Sequence, residues 1–143
     1  MSITKTASAR WQGGLKNGKG TISTESGVLK EAPYGFKQRF EGQAGSNPEE
    51  LIGAAHASCF SMALSLILGE ADMEAESIDT QATVTLEEDD SGFSIPAIHL
   101  ETHVRMPGAD QAAFEEAAEK AKAGCPVSKL FNAKITLKAT LDN

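Results

Sequence analysis

Basic charge is what this sequence has least of. Its 13 lysines and arginines face 20 acids, for a formal charge of −7 and a pI near 4.9, and no cluster of lysines offers the basic face that phosphate contact needs. Nucleic acid is therefore not an expected partner. Cysteine is scarce: there are two, Cys59 and Cys125, without the spacing of a zinc site or the density of a disulfide scaffold. In a reducing compartment that leaves free thiols or a transient redox pair. The opening MSITKTASARW lacks the apolar stretch of a signal peptide, and the longest apolar run is broken by His56, Ser58, Ser61 and Ser65. A soluble, cytoplasmic protein without a membrane segment is expected. Internal repeats and low-complexity linkers are absent too, and 143 residues suit a single domain, 1–143, with a core of its own.

What is present begins with short β-type segments punctuated by glycine, read as strands over 3–12, 19–25 and 35–42, with Asn17-Gly18 as a hairpin-turn dipeptide. The stretch SNPEE announces a helix: Asn47 caps, Pro48 suits the first helical position and Glu50 completes a capping-box pattern. That helix is predicted from Pro48 to Leu68, closing at Gly69, roughly 30 Å long at 1.5 Å per residue. It shows no clean polar stripe, so burial on nearly all sides is expected, and a partner subunit is a natural source of the cover. Thr80, Ala82, Val84 and Leu86 then alternate with polar neighbours, as do Ile98, Leu100, Val104 and Met106, predicting a hairpin with one wet face. A second helix over 110–123 carries Phe114, Ala117, Ala118 and Ala121 on one side, and Ile135, Leu137 and Leu141 mark a last strand. The order of elements predicts an α+β fold with antiparallel sheet.

Few residues in this pattern can carry chemistry. A cysteine in an apolar helix, such as Cys59, is ordinarily a small buried hydrophobe. Cys125, in GCPVSKLF, stands between a helix-closing glycine and Pro126, at the cap of a possible short helix, where a thiolate is favoured. Two such thiols are able to act as a peroxidatic and resolving pair: one takes an oxygen from an oxidant, and the other condenses with the sulfenic acid to a disulfide. A buried thiol needs a cation to offset the desolvation of its anion. Of Arg10, Arg39 and Arg105, Arg39 lies among aromatic residues just ahead of the long helix. Glu49 suits the first helical turn in its own right and is also placed to orient an arginine. Ten residues put it about 15 Å along the axis from Cys59, so an arginine held by Glu49 reaches a thiol more easily across a subunit boundary. His56, one turn before Cys59, is read either as a core imidazole or as a nucleophile's partner. His99 and His103 have no third ligand for a metal, and LEEDDSG lacks the ligand spacing of a calcium loop.

TESGVL, PYGF, RFEG, NPEELIGAAHASCFSMALS and AGCPVS together resemble the OsmC/Ohr family of organic hydroperoxide reductases, in order and over nearly the whole chain. The resemblance implies an OsmC-like fold: antiparallel sheets wrapped around two long central helices in an intertwined homodimer, with active sites at the subunit interface. It implies Cys59 as the peroxidatic cysteine, Cys125 as the resolving one, and Glu49 as the carboxylate that holds the active-site arginine. Arg39 matches the arginine position of the OsmC branch; the Ohr branch places its arginine earlier. Further implications are an organic hydroperoxide substrate, a dithiol reductant of lipoyl type, and a role in oxidative and osmotic stress defence, with no cofactor. Two other classes are compatible with the residues alone. A Cys59-His56 thiol hydrolase has no need of Cys125, and a non-enzymatic binding dimer would carry its thiols incidentally.

Overall fold

The computed structural model describes residues 1–143. The element order is β1 (Ala7–Gln12), β2 (Lys19–Thr24), β3 (Ala32–Tyr34), α1 (Phe36–Phe40), α2 (Pro48–Glu70), β4 (Ser77–Asp89), β5 (Gly92–Arg105), α3 (Gln111–Gly124), α4 (Pro126–Leu130) and β6 (Lys134–Asp142). The chain divides into two compact units, Met1–Leu51 and Ile52–Asn143.

In the first unit β1, β2 and β3 form an antiparallel meander. The β1–β2 hairpin is present, but Gly13–Gly18 connect it as a six-residue loop, with Gln12 opposite Lys19, rather than a tight turn at Asn17-Gly18. Gly20 is paired with Trp11 on one side and Tyr34 on the other. An added Cβ there would come within 2.4 Å of the Tyr34 ring and 2.7 Å of Trp11, so the missing side chain lets the two aromatic rings close to 5.5 Å. The expected strand over 35–42 is not a strand: β3 ends at Tyr34, and Phe36–Phe40 is the single-turn helix α1. Phe36 and Phe40 are four apart, a spacing that sets two side chains on one helical face, and their rings lie 4.9 Å apart. α2 begins as expected, with Asn47 Oδ1 accepting the Glu50 N–H at 2.8 Å.

In the second unit the remainder of α2 packs with β4, β5, β6 and α3. α2 runs past the expected stop at Gly69 to Glu70, because the residue that turns the chain into the left-handed region is Asp72, at φ 58. Met73 N–H then bonds to Leu68 O and Asp72 N–H to Gly69 O, the paired bonds of a Schellman motif. Although α2 has the length and composition of a membrane-crossing helix, it buries one stripe in a protein core: Gly53, His56, Phe60, Leu64 and Leu68. The expectation of burial on nearly all sides does not hold within one chain. Met62 and Leu66, on another face, are 76% and 65% exposed.

β4 and β5 form the expected hairpin, offset by a bulge between Thr85 and Glu87, near Pro96, whose lack of an N–H suits an irregular position. β6 joins β5 in parallel, Ile98 opposite Ile135 and Val104 opposite Leu141, so this sheet is mixed rather than antiparallel throughout. The α+β class stands. Ile98, Leu100 and Val104 of β5 meet Phe60, Leu64 and Leu68 of α2 and Phe114, Ala117, Ala118 and Ala121 of α3 in one core. Each fully buried leucine or phenylalanine contributes about 1.5–3 kcal/mol.

Candidate active site

The four residues singled out from the sequence fall into two pairs, one in each unit. In the first unit, Arg39 projects from α1 and Glu49 from the first turn of α2. Arg39 Nη2 donates to Glu49 Oε1 at 2.7 Å, and Nε donates to Oε1 at 3.0 Å and Oε2 at 3.3 Å. This is the two-pronged guanidinium–carboxylate contact that fixes orientation as well as charge. The Glu49 side chain is 13% exposed and that of Arg39 36%, so the guanidinium is held but keeps an open edge. It also lies 5.5 Å from the Phe40 ring. Beside it is a cavity of about 180 Å³ walled by Trp11, Leu15, Tyr34, Phe36 and Phe40. The helical turn of α1, in place of the expected strand, is what puts Arg39 and the two phenylalanines on this cavity.

In the second unit Cys59, half-buried on α2, packs against the core cluster that contains Cys125, fully buried at the start of α4. Both are free thiols. Burial pushes the Cys59 thiol above its ordinary value; a hydrogen bond from the Val127 backbone pulls the other way, and the hydrogen bond and charge of Cys125 push it further up. A nearby cation would offset this and favour release of the proton. Cys125 caps α4 as its position in GCPVS suggested: its Sγ accepts the Ser128 N–H at 3.4 Å.

His56 is fully buried and is not a partner of Cys59. Its Nε2 is 2.7 Å from Ser128 Oγ, its Nδ1 has no partner, and its ring stands edge-on to Phe131 at 5.5 Å. Burial depresses its basicity. Ser128 in turn accepts a hydrogen bond from the Cys125 thiol at 3.2 Å. Ser128 was not singled out in the sequence, although its place three residues after a capping cysteine is the signal that would have found it. His99 bonds to Thr136 on the polar side of the sheet, and the acidic turn is closed by Asp89, which accepts from Ser91.

The chain has recognisable relatives. A family model described as OsmC-like protein matches residues 40–140. The chain is 59% identical over 137 residues to the peroxiredoxin OsmC of Escherichia coli K12, covering 96% of each. To the organic hydroperoxide resistance protein OhrB of Bacillus subtilis it is 32% identical over 123 residues, covering 85% of this chain and 88% of the other. The crystal structure of OhrB superimposes with a TM-score of 0.68 at 29% identity, over 96% of this chain and 98% of that one. An OsmC-like protein of Mycoplasma pneumoniae superimposes at 0.79 over the whole of both chains; at 14% identity it speaks for the fold alone.

Proposed function

The chain belongs to the family of OsmC-like proteins, and on that premise we propose that it is a thiol peroxidase that reduces organic hydroperoxides to alcohols. The observation that carries the reading is that Cys59 and Cys125, both free thiols, share one core, Cys59 packing against the cluster that contains Cys125. The names of the relatives, a peroxiredoxin and an organic hydroperoxide resistance protein, support a peroxide-reducing enzyme.

In this reading Cys59 is the peroxidatic cysteine. Its thiolate attacks the terminal oxygen of ROOH; the O–O bond breaks, the alkoxide leaves with a proton as ROH, and Cys59 becomes a sulfenic acid. Arg39, oriented by Glu49, supplies the positive charge that the Cys59 thiolate lacks in its apolar surroundings and that the departing oxygen needs. Cys125 resolves the sulfenic acid to a disulfide within the chain, and an external dithiol of lipoyl type reopens it by exchange. The active unit is a homodimer of single OsmC-like domains in the cytoplasm; the uncovered Met62 and Leu66 of α2 support a second copy as their cover. The aromatic cavity beside Arg39 suits an organic group on the peroxide.

The test is a free-thiol count and intact mass before and after one equivalent of cumene hydroperoxide per chain, with Cys125→Ser alongside. Loss of both thiols and about two mass units in the parent, with a trappable sulfenic acid in the variant, is expected. Two unreacted thiols in folded protein would overturn the peroxidase reading in favour of a binding dimer. Equal turnover of cumene hydroperoxide and hydrogen peroxide would defeat the preference for organic substrates.

A further inference from the structure

Three polar side chains are buried in the second unit: His56, Thr102 and Ser128. Thr102 is accounted for by the fold, since its hydroxyl bonds to Thr80 Oγ1 at 2.9 Å and to Asp79 O at 3.3 Å. His56 and Ser128 are different, because they form a line that ends on a reacting sulfur. The Cys125 thiol donates to Ser128 Oγ at 3.2 Å, and Ser128 Oγ lies 2.7 Å from His56 Nε2. A hydroxyl has a single proton. Having accepted from Cys125, Ser128 has its own proton free to donate to Nε2 of a neutral His56 that carries its proton on Nδ1.

That orientation has a cost. Nδ1 is buried without a partner, and an unmade bond of this kind costs about 1–3 kcal/mol. A histidine that served packing alone would be replaced by an apolar side chain without this loss. Keeping the imidazole neutral agrees with its depressed basicity, for which burial is the sole cause. The titratable groups joined to the line are the two thiols, Cys59 from α2 and Cys125 from the start of α4.

We propose that Ser128 and His56 form a proton relay for the resolving step, with Ser128 as a catalytic residue in contact with the Cys125 sulfur and His56 as the positioning residue behind it. The proposal rests on the thiol-peroxidase reading. As Cys125 Sγ attacks the Cys59 sulfenic sulfur, the S–S bond forms and the Cys59 S–O bond breaks. The thiol proton of Cys125 passes to Ser128 Oγ, and the Ser128 proton passes to His56 Nε2. The imidazolium returns that proton through Ser128 Oγ to the departing hydroxide, which leaves as water, so no net proton is exchanged with solvent. The sulfenic sulfur is reduced and the thiol sulfur oxidised to the common level of the disulfide, so protons and electrons balance.

The experiment is a single turnover with one equivalent of cumene hydroperoxide, following formation and decay of the sulfenic acid from pH 5.5 to 8.5 in the parent, Ser128→Ala, Ser128→Thr and His56→Gln. Ser128→Ala keeps the backbone N–H on Cys125 and removes only the hydroxyl. Decay in the parent is expected to vary little with pH near neutrality. In Ser128→Ala and His56→Gln it should be at least about 10²-fold slower at pH 7, the lower end of the range by which a positioned base assists. It should also rise about tenfold per pH unit, because Cys125 must then ionise to solvent. Ser128→Thr, which restores a hydroxyl, should recover the flat profile. If His56→Gln does not fold, the two serine variants decide the matter. Absence of any sulfenic acid in the parent would remove the peroxidase reading itself. A sulfenic acid that decays with the same rate and pH slope in Ser128→Ala as in the parent would overturn the relay alone.

Discussion

The Arg39–Glu49 pair and the Cys59–Cys125 pair are opposites in their surroundings. The first is charged, partly open and fixed by three hydrogen bonds; the second lies in an apolar core, Cys59 half-buried and Cys125 fully buried, with only weak bonds between the Cys125 sulfur and Ser128. The charged pair has no nucleophile, and the thiol pair has no cation to stabilise its anion. A thiolate formed in apolar surroundings without a compensating charge is costly, and an exposed guanidinium gains little from charge screened by water. Each pair is incomplete for peroxide chemistry by the measure in which the other is well supplied. This complementarity is the physical content of the proposed division of labour.

The largest effect should come from removing the nucleophile. Cys59→Ala is expected to lower hydroperoxide reduction by roughly 10³-fold or more, as loss of a nucleophile does elsewhere, with little change in melting temperature because the side chain is small and half-buried. Retained turnover in that variant would end the assignment. Next comes the charge. Arg39→Met should lower kcat/KM for cumene hydroperoxide by about 10²- to 10³-fold, the range for losing a preorganised electrostatic contact. Arg39→Lys should fall in between, since an ammonium keeps the charge but not the two-pronged contact with Glu49. A parent-like rate in Arg39→Met would show that the two pairs do not cooperate.

How far the sequence reached differs between these regions. NPEE spelled out the start of α2, which opens with the Asn47 cap, and alternation in 80–86 and 98–106 marked the buried face of the β4–β5 hairpin. The apolar face of α3 was legible residue by residue, as was the capping position of Cys125. What was not legible depends on contacts distant in sequence. Alternation says which side of a strand is wet but not the direction of its neighbour, so β6 was not recognisable as a parallel strand. In α1 a short aromatic run is compatible with strand or helix, and only the four-residue spacing of Phe36 and Phe40 separates them. The place of Ser128 three residues after the capping cysteine marks it as part of a cap and no more; its link to His56, on a different helix, is a contact distant in sequence.

A smaller effect should sharpen the charged side of the comparison. Phe36 walls the cavity beside Arg39, its ring 4.9 Å from that of Phe40. Phe36→Ala should lower kcat/KM for cumene hydroperoxide by about tenfold through lost apolar contact, while hydrogen peroxide, which has no organic group to seat, is affected much less. Equal losses on both substrates would assign Phe36 to the packing of α1 and not to the substrate.

The smallest effect distinguishes the thiol side by its response to acid. His56 is buried as a neutral imidazole and its folded pKa lies below the ordinary 6.5, the value at which the unfolded chain takes up a proton. Between these two values the unfolded state binds more protons, so stability falls as pH drops through that interval and levels off below the folded pKa. Cys59 acts at the other end: its raised pKa favours the folded state below the ordinary thiol value, and that contribution is lost as pH rises through the folded pKa. The melting temperature of the reduced parent should therefore decline from pH 7.5 to 5.5 more than that of His56→Leu, which has nothing to protonate there. Parallel curves for the two proteins would mean that His56 binds protons equally when folded and unfolded; a parent that instead gains stability toward pH 5.5 relative to His56→Leu would mean that His56 is protonated in the folded state, with Nε2 as a donor to Ser128, and would remove the acceptor on which the proton relay depends.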